Sequence, residues 1–221
     1  TIVRMAEDKF YLVCAAFFEQ RLLDHLAAHR RDEEATVTAL SGTWGALSLN
    51  GPKSRDVLGA CTDARLDNAA FRWLSAQEIT VAGHSVWAFR MSYAGELGWE
   101  LHMPFAAVSD VYAALWQAGA AHGIADYGSF AMNVMRMEKG FKGAGELTNE
   151  VTLAEADVLR FARTDKDYLG RDKTLNTDLP WVCAYLEIEP DGEIDGHGGE
   201  AVMLDGAVVG STASVAYGHT V

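Results

Sequence analysis

Residues 78–122 change their hydrophobic period partway along, from the alternation of a strand to the three-to-four spacing of a helix. Residues 78–93 read as a ribbon folded at a Gly83-His84 turn, and after the break Ala94-Gly95-Glu96-Leu97-Gly98 the stretch 99–104 continues it. Residues 105–122 then place Val108, Val111, Tyr112, Leu115 and Trp116 on one helical stripe, which is expected to face inward. Strands with one apolar face and a helix with one apolar stripe bury both by stacking. A mixed layer, α/β or α+β, is therefore the expected class.

Elements of the same two kinds are expected on either side. Residues 9–16 read as a strand feeding a helix over 17–30, with Phe17, Phe18, Leu22, Leu23 and Leu26 on its stripe. Residues 36–49 read as strand, Asn50-Gly51-Pro52 as a turn, and 53–61 as a helix opened by the proline. Downstream, 127–139 and 153–163 are expected to be helical. Past Leu169-Gly170-Arg171 the texture becomes glycine-rich, and residues 202–209 form a two-strand pattern around Asp205-Gly206. A boundary is placed near Asn176, between a mixed domain over 1–175 and the start of an all-β one over 176–221. The first residues alternate like a strand already under way, and 210–217 read as a strand with nothing to pair with. Both ends are accordingly expected to continue into a longer protein.

Composition narrows the partners. With 49% hydrophobic residues in 221, the chain can build one core, or one and part of a second. Its 18 basic against 31 acidic residues give a net charge of -13, which repels nucleic acid and anionic lipid, so neither is an expected partner. No run approaches the roughly eighteen apolar residues that span a bilayer. Cys14, Cys61 and Cys183 lack metal-site spacing and read as reduced core thiols, which together with the absence of a leader suggests a cytoplasmic protein. His25 and His29 have a spacing that can ligate metal, but no third ligand accompanies them and no metal site is expected.

The bend at 91–101 is where chemistry could reside. Two glycines let the backbone turn while Tyr93 and Glu100 flank it. A tyrosine offers a stacking face, and a carboxylate accepts two parallel N–H bonds from a 2-amino-pyrimidinone edge, a pairing suited to a pterin. Spacing alone favours the blander alternative, an ordinary hairpin turn with solvated Glu96 and Glu100.

Ser92-Tyr93-Ala94-Gly95-Glu96-Leu97-Gly98-Trp99-Glu100-Leu101 resembles the Y-T/A-G-E-x-G-x-E signature of the glycine-cleavage T-protein (aminomethyltransferase) family. Further segments resemble that family in the same order: Phe10-Tyr11-Leu12-Val13, Leu47-Ser48-Leu49-Asn50-Gly51-Pro52, Met135-Arg136-Met137-Glu138-Lys139-Gly140, residues 147–156, Lys166-Asp167-Tyr168-Leu169-Gly170 and residues 208–214. The departures, Cys14-Ala15-Ala16 and Ala131-Met132-Asn133, make the chain more similar to the folate halves of dimethylglycine and sarcosine dehydrogenases.

The resemblance implies a ferredoxin-like folate-binding domain followed by part of a C-terminal β-barrel. It implies tetrahydrofolate as cofactor, Glu100 as the pterin anchor, Tyr93 as an aromatic of the pocket, and Arg136, with Glu138, in a segment that lines or supports it, while a buried Arg136–Glu138 pair bracing a helix is at least as good a reading of those two residues as ligand contact. An N-methylated amino acid is the implied second partner; oligomeric state is left open. FAD would belong only to a preceding half, since no strand-GxGxxG-helix arrangement occurs here and Asp195-Gly196-His197-Gly198-Gly199 reads as a loop. The implied catalytic Asp maps just before Thr1, so no catalytic residue is assigned and residues 1–221 alone are expected to be inactive. The implied reaction forms 5,10-methylenetetrahydrofolate from an N-methyl amine or aminomethyl donor. A folate-dependent S- or O-demethylase and a non-catalytic folate-binding regulatory module are the alternatives.

Overall fold

The structure, a computed structural model, describes residues 1–176, 178–189 and 196–220. It divides into two compact units, one of Thr1–Ser92 with Glu96–Ile124, the other of Tyr93–Gly95 with Ala125–Val221. The position 175/176 falls inside the second unit.

The first unit contains, in order, β1 (Ile2–Arg4), β2 (Phe10–Leu12), α1 (Glu19–His29), β3 (Trp44–Asn50), α2 (Ser54–Gly59), β4 (Ala76–Val81), β5 (His84–Phe89), β6 (Gly98–Pro104) and α3 (Val108–Gly119). β1 and β2 pair as a small hairpin, and the other strands form an antiparallel sheet in the order β3-β6-β5-β4. The mixed α+β class read from the sequence holds. Alternation along β6 sets the layers: Trp99, Leu101 and Met103 are wholly buried with Leu49, Val86 and Ala88, against Val57 and Leu58 of α2 and Val111 and Leu115 of α3. Glu100 and His102 belong to the other face.

Several local expectations are corrected. Tyr112 and Trp116 do not face inward; they are exposed and stack on each other, ring centres 5.7 Å apart. The buried line of α3 is Val111, Leu115 and Gly119, and a residue one position further along is turned by roughly 100° out of it. The β4–β5 turn falls at Ala82-Gly83 instead of Gly83-His84, both residues having positive φ (50° and 82°), the geometry of a two-residue type I′ turn. The strand expected over 36–49 begins only at Trp44, because Leu40 C=O accepts the N–H of Thr43 and of Trp44 in a turn that Gly42 allows at φ 80°. Strand β2 covers three residues of the expected eight, α1 has no fully buried residue, and Phe17, expected on its stripe, lies before its first turn and is 71% exposed.

The second unit contains α4 (Ser129–Glu138), α5 (Arg171–Thr174) and the hairpin β7 (Ala201–Leu204) with β8 (Ala207–Ser211). That hairpin turns at Asp205-Gly206 as its sequence requires, with φ 50° and 83°. The expected helix over 153–163 is reduced to one tight turn at Leu159–Phe161. Thr152 and Glu155 cap each other reciprocally (Glu155 N–H to Thr152 Oγ1 3.2 Å, Thr152 N–H to Glu155 Oε2 2.8 Å), but Asp157 adopts φ 56° and stops the helix. Asp195, in the loop read at 195–199, lies outside the described residues; Gly198 and Gly199 both have positive φ.

Leu101→Ala, which removes a wholly buried side chain from the central strand, is expected to lower stability by about 2–5 kcal/mol in denaturant unfolding. An unchanged midpoint would mean that this face of β6 is not the core.

Candidate functional site

On the sheet face opposite the helices, the register of β6 sets Glu100 beside Ser48 of β3 and Phe89 of β5, and His102 beside Ala46 and Trp87. Tyr11 of β2 reaches this face, its ring centre 5.1 Å from Trp87, 5.5 Å from His102 and 5.7 Å from Phe89; Trp44 stacks obliquely on Trp87 at 4.3 Å. A chain of polar contacts runs through the aromatic cluster. Tyr11 Oη lies 3.1 Å from His102 Nδ1, and His102 Nε2 lies 3.4 Å from Glu100 Oε2. His102 is buried, whereas the Glu100 side chain is 28% exposed and so both held by the protein and open to a ligand. Burial pushes the Tyr11 phenol above its ordinary value, and the negative charge of Glu100 adds to the rise.

Tyr93 and Arg136 belong to the second unit and meet there around Gly143. A Cβ on that glycine would lie 2.9 Å from Tyr93 Oη and 3.2 Å from Arg136 Cζ. Tyr93 donates to Lys142 C=O (3.0 Å) and stacks on Phe141 with ring centres 6.5 Å apart, and the residue is 39% exposed. Burial raises its phenol, which the Arg136 charge draws partly back. Arg136 is buried, and its donors go to protein acceptors: Asn133 Oδ1 at 2.9 and 2.7 Å, Phe141 C=O at 2.9 Å, both oxygens of Glu146 at 3.0 Å, and Ser214 Oγ at 2.8 Å. Its carboxylate partner is Glu146; Glu138 instead accepts the N–H groups of His219 and Thr220. Burial works to raise Glu146, but hydrogen bonds from Ser214, the Gly143 N–H and Arg136 outweigh it and hold its carboxyl below the ordinary range.

Tyr11, His102 and Glu146 were not among the residues singled out from the sequence. His102 could have been found by counting two residues on from Glu100 along a strand; Glu146 carries no local signal that pairs it with Arg136. An open groove of about 1130 Å³ lined by Cys61, Thr62, Arg65, Glu78 and Gln117 contains none of the expected site residues. Cys14 is exposed, not part of a core. Among the described residues no group of three or more His, Cys, Asp or Glu could hold a metal, and no helix is long and apolar enough to cross a membrane.

Glu146→Gln leaves the Arg136 charge buried without its counter-ion, which is expected to destabilise the second unit by about 3–5 kcal/mol. Because Glu146 sits below its ordinary value in the folded state, its contribution is present above the unfolded carboxyl value and is lost as pH falls through the folded one. Unfolding measured from neutral to acid pH should therefore show a smaller acid loss in Glu146→Gln. An equal loss would mean that the pair does not carry the acid sensitivity.

Similarity to known proteins agrees with this architecture. The chain is 35% identical over 222 residues to mitochondrial sarcosine dehydrogenase of Mus musculus, covering 97% of this chain and 24% of that protein. It is 31% identical over 222 residues to an aminomethyltransferase of Koribacter versatilis, covering 97% of this chain and 58% of that protein. It thus spans about a quarter of the dehydrogenase and somewhat over half of the aminomethyltransferase. A heterotetrameric sarcosine oxidase from Corynebacterium sp. U-96 shares the fold, with TM-score 0.50 and 24% identity over 57% of this chain and 63% of that one. The mitochondrial relative lends no support to a cytoplasmic location. The model of the GCVT N-terminal domain matches residues 1–166, and the chain belongs to that family.

Proposed function

We propose that this chain supplies the pterin-binding face of an enzyme that transfers a one-carbon unit to tetrahydrofolate, forming 5,10-methylenetetrahydrofolate from an N-methylated amino acid or an aminomethyl donor. The observation that carries the proposal is the Glu100 carboxylate, part open to solvent on a sheet face dressed with Tyr11, Trp44, Trp87 and Phe89. A carboxylate there accepts the two parallel donors of a 2-amino-pyrimidinone edge, and an aromatic surround suits a flat bicyclic ligand. The relatives' names, sarcosine dehydrogenase and aminomethyltransferase, concern one-carbon groups carried on amines and point the same way.

The folate would supply the nucleophilic nitrogen that takes up the one-carbon unit. The residues of this chain bind and orient: in the first unit Glu100 fixes the pterin edge; in the second, Tyr93 offers an exposed aromatic surface and Arg136, with its donors turned to protein acceptors, braces the segment after α4. No residue among 1–221 is proposed as catalytic, and FAD is no part of the role proposed for this chain. In the intact gene product, sarcosine or dimethylglycine with tetrahydrofolate is expected to yield methylenetetrahydrofolate; release of formaldehyde alone at saturating folate would overturn the proposal.

Glu100→Gln preserves shape but turns one acceptor into a donor facing the pterin's own N–H. It is expected to weaken tetrahydrofolate binding by about tenfold or more, since a bond to a charged group contributes about 1.5–3 kcal/mol. Glu96→Gln, at an exposed position, is expected to leave the affinity unchanged. Calorimetric titration of both variants decides, and a larger loss at Glu96 would mean that the wrong carboxylate has been assigned.

A further inference from the structure

We infer that His102, locked by Tyr11, is the positioning residue that aims the Glu100 carboxylate, an inference that rests on the proposed pterin-binding role of Glu100. The imidazole is 5% exposed and has polar partners at both nitrogens, Tyr11 Oη at 3.1 Å from Nδ1 and Glu100 Oε2 at 3.4 Å from Nε2. A neutral imidazole that bonds a carboxylate at one nitrogen and a phenol at the other has one consistent proton arrangement. Tyr11 donates to Nδ1, so Nε2 carries the hydrogen and donates to Glu100. The ring cannot swing away from this geometry, for Phe89 packs on it with centres 4.6 Å apart and Tyr11 meets it edge-on at 84°.

A glutamate projecting from a strand would otherwise sample several rotamers, and a ligand that requires one of them would have to select it. Fixing Oε2 from behind leaves Oε1 and the remaining lone pair of Oε2 for the two donors of the ligand. The titratable and charged groups facing His102 from the elements packed against it are Tyr11 of β2 and Glu100 of β6, with Lys9 nearby over the Trp87 ring at 4.9 Å. The nearest ionised partner is thus the carboxylate itself, which favours the Nε2–H form.

Two substitutions of equal length separate aiming from packing. His102→Gln keeps an N–H donor where Nε2 stood, and His102→Met fills the same space without one. Titrating tetrahydrofolate into the intact protein, we expect His102→Met to weaken binding by about tenfold and His102→Gln to stay within about twofold of the parent. Tyr11→Phe, which keeps the ring and loses the lock, is expected to weaken binding by about threefold, and it serves as the test if His102→Met does not fold. In the Glu100→Gln background each of these losses should vanish, because the residues act only through that carboxylate. Equal loss in Met and Gln, or a loss that persists in the Glu100→Gln background, overturns the inference in favour of simple packing. If Glu100→Gln binds as tightly as the parent, the pterin reading itself fails; if it binds weakly while His102→Met and Tyr11→Phe bind normally, only the aiming role fails.

Discussion

Strand β6 is hydrogen-bonded along both edges, to β3 and to β5, and its seven residues serve two surfaces at once. Trp99, Leu101 and Met103 fill the core while Glu100 and His102 occupy the opposite face. A slip of one residue would exchange the two sets, burying a carboxylate and exposing a tryptophan, a leucine and a methionine, each of which gains about 1.5–3 kcal/mol from burial. Register is thereby fixed by hydrophobic burial alone. The same register fixes where Glu100 emerges. Helix α2, six residues long, is too short to persist by propensity and exists because Val57 and Leu58 find this core. The core that builds the sheet also positions the candidate ligand face.

The second unit is held together by different physics. Its described residues bury few apolar side chains, and the densest organisation is the Arg136 hub, which gathers α4, the turn at Phe141 and Gly143, Glu146 and Ser214, a residue 78 positions away. Desolvating an ion pair recovers little net stability, so the hub is a poor source of cohesion energy. It is nevertheless intolerant of loss, because any missing partner strands a buried charge. Asn133, a departure from the family pattern in sequence, receives two of the guanidinium bonds.

Legibility in the sequence tracked the range of the interactions. Both type I′ hairpins announce themselves locally, although at Ala82-Gly83 an alanine in the left-handed region shifted the turn by one residue. The β6–α3 succession was readable because its burial is strong and periodic, yet Tyr112 and Trp116, the two aromatics of α3, were placed on the wrong side. Hydrophobicity gives a stripe, and only packing says how wide it is. The helix expected over 153–163 failed at one backbone angle, that of Asp157. Of the candidate residues, Glu100 in the first unit and Tyr93 and Arg136 in the second came from ordered motifs, whereas the Arg136–Glu146 and Tyr11–His102 contacts join residues 10 and 91 positions apart and are set by tertiary structure.

Two carboxylates of the same chemistry show how structure separates a scaffold group from one available to a ligand. Glu146 is buried, with both oxygens bonded to Arg136 and further donors from the Gly143 N–H and Ser214, and its depressed acidity records that saturation. A carboxylate so occupied offers nothing to a newcomer. Glu100 has, among the described residues, the single ring nitrogen of His102 within bonding reach, and its side chain is 28% exposed. Of about four acceptor sites on a carboxylate, the contact with His102 takes one, beside aromatic rings that water solvates poorly. An acceptor held in place but left unsaturated on an apolar surface favours a planar ligand with paired donors over the water it displaces, and that asymmetry between the two glutamates is the reason the pterin anchor is proposed at Glu100 and not at Glu146.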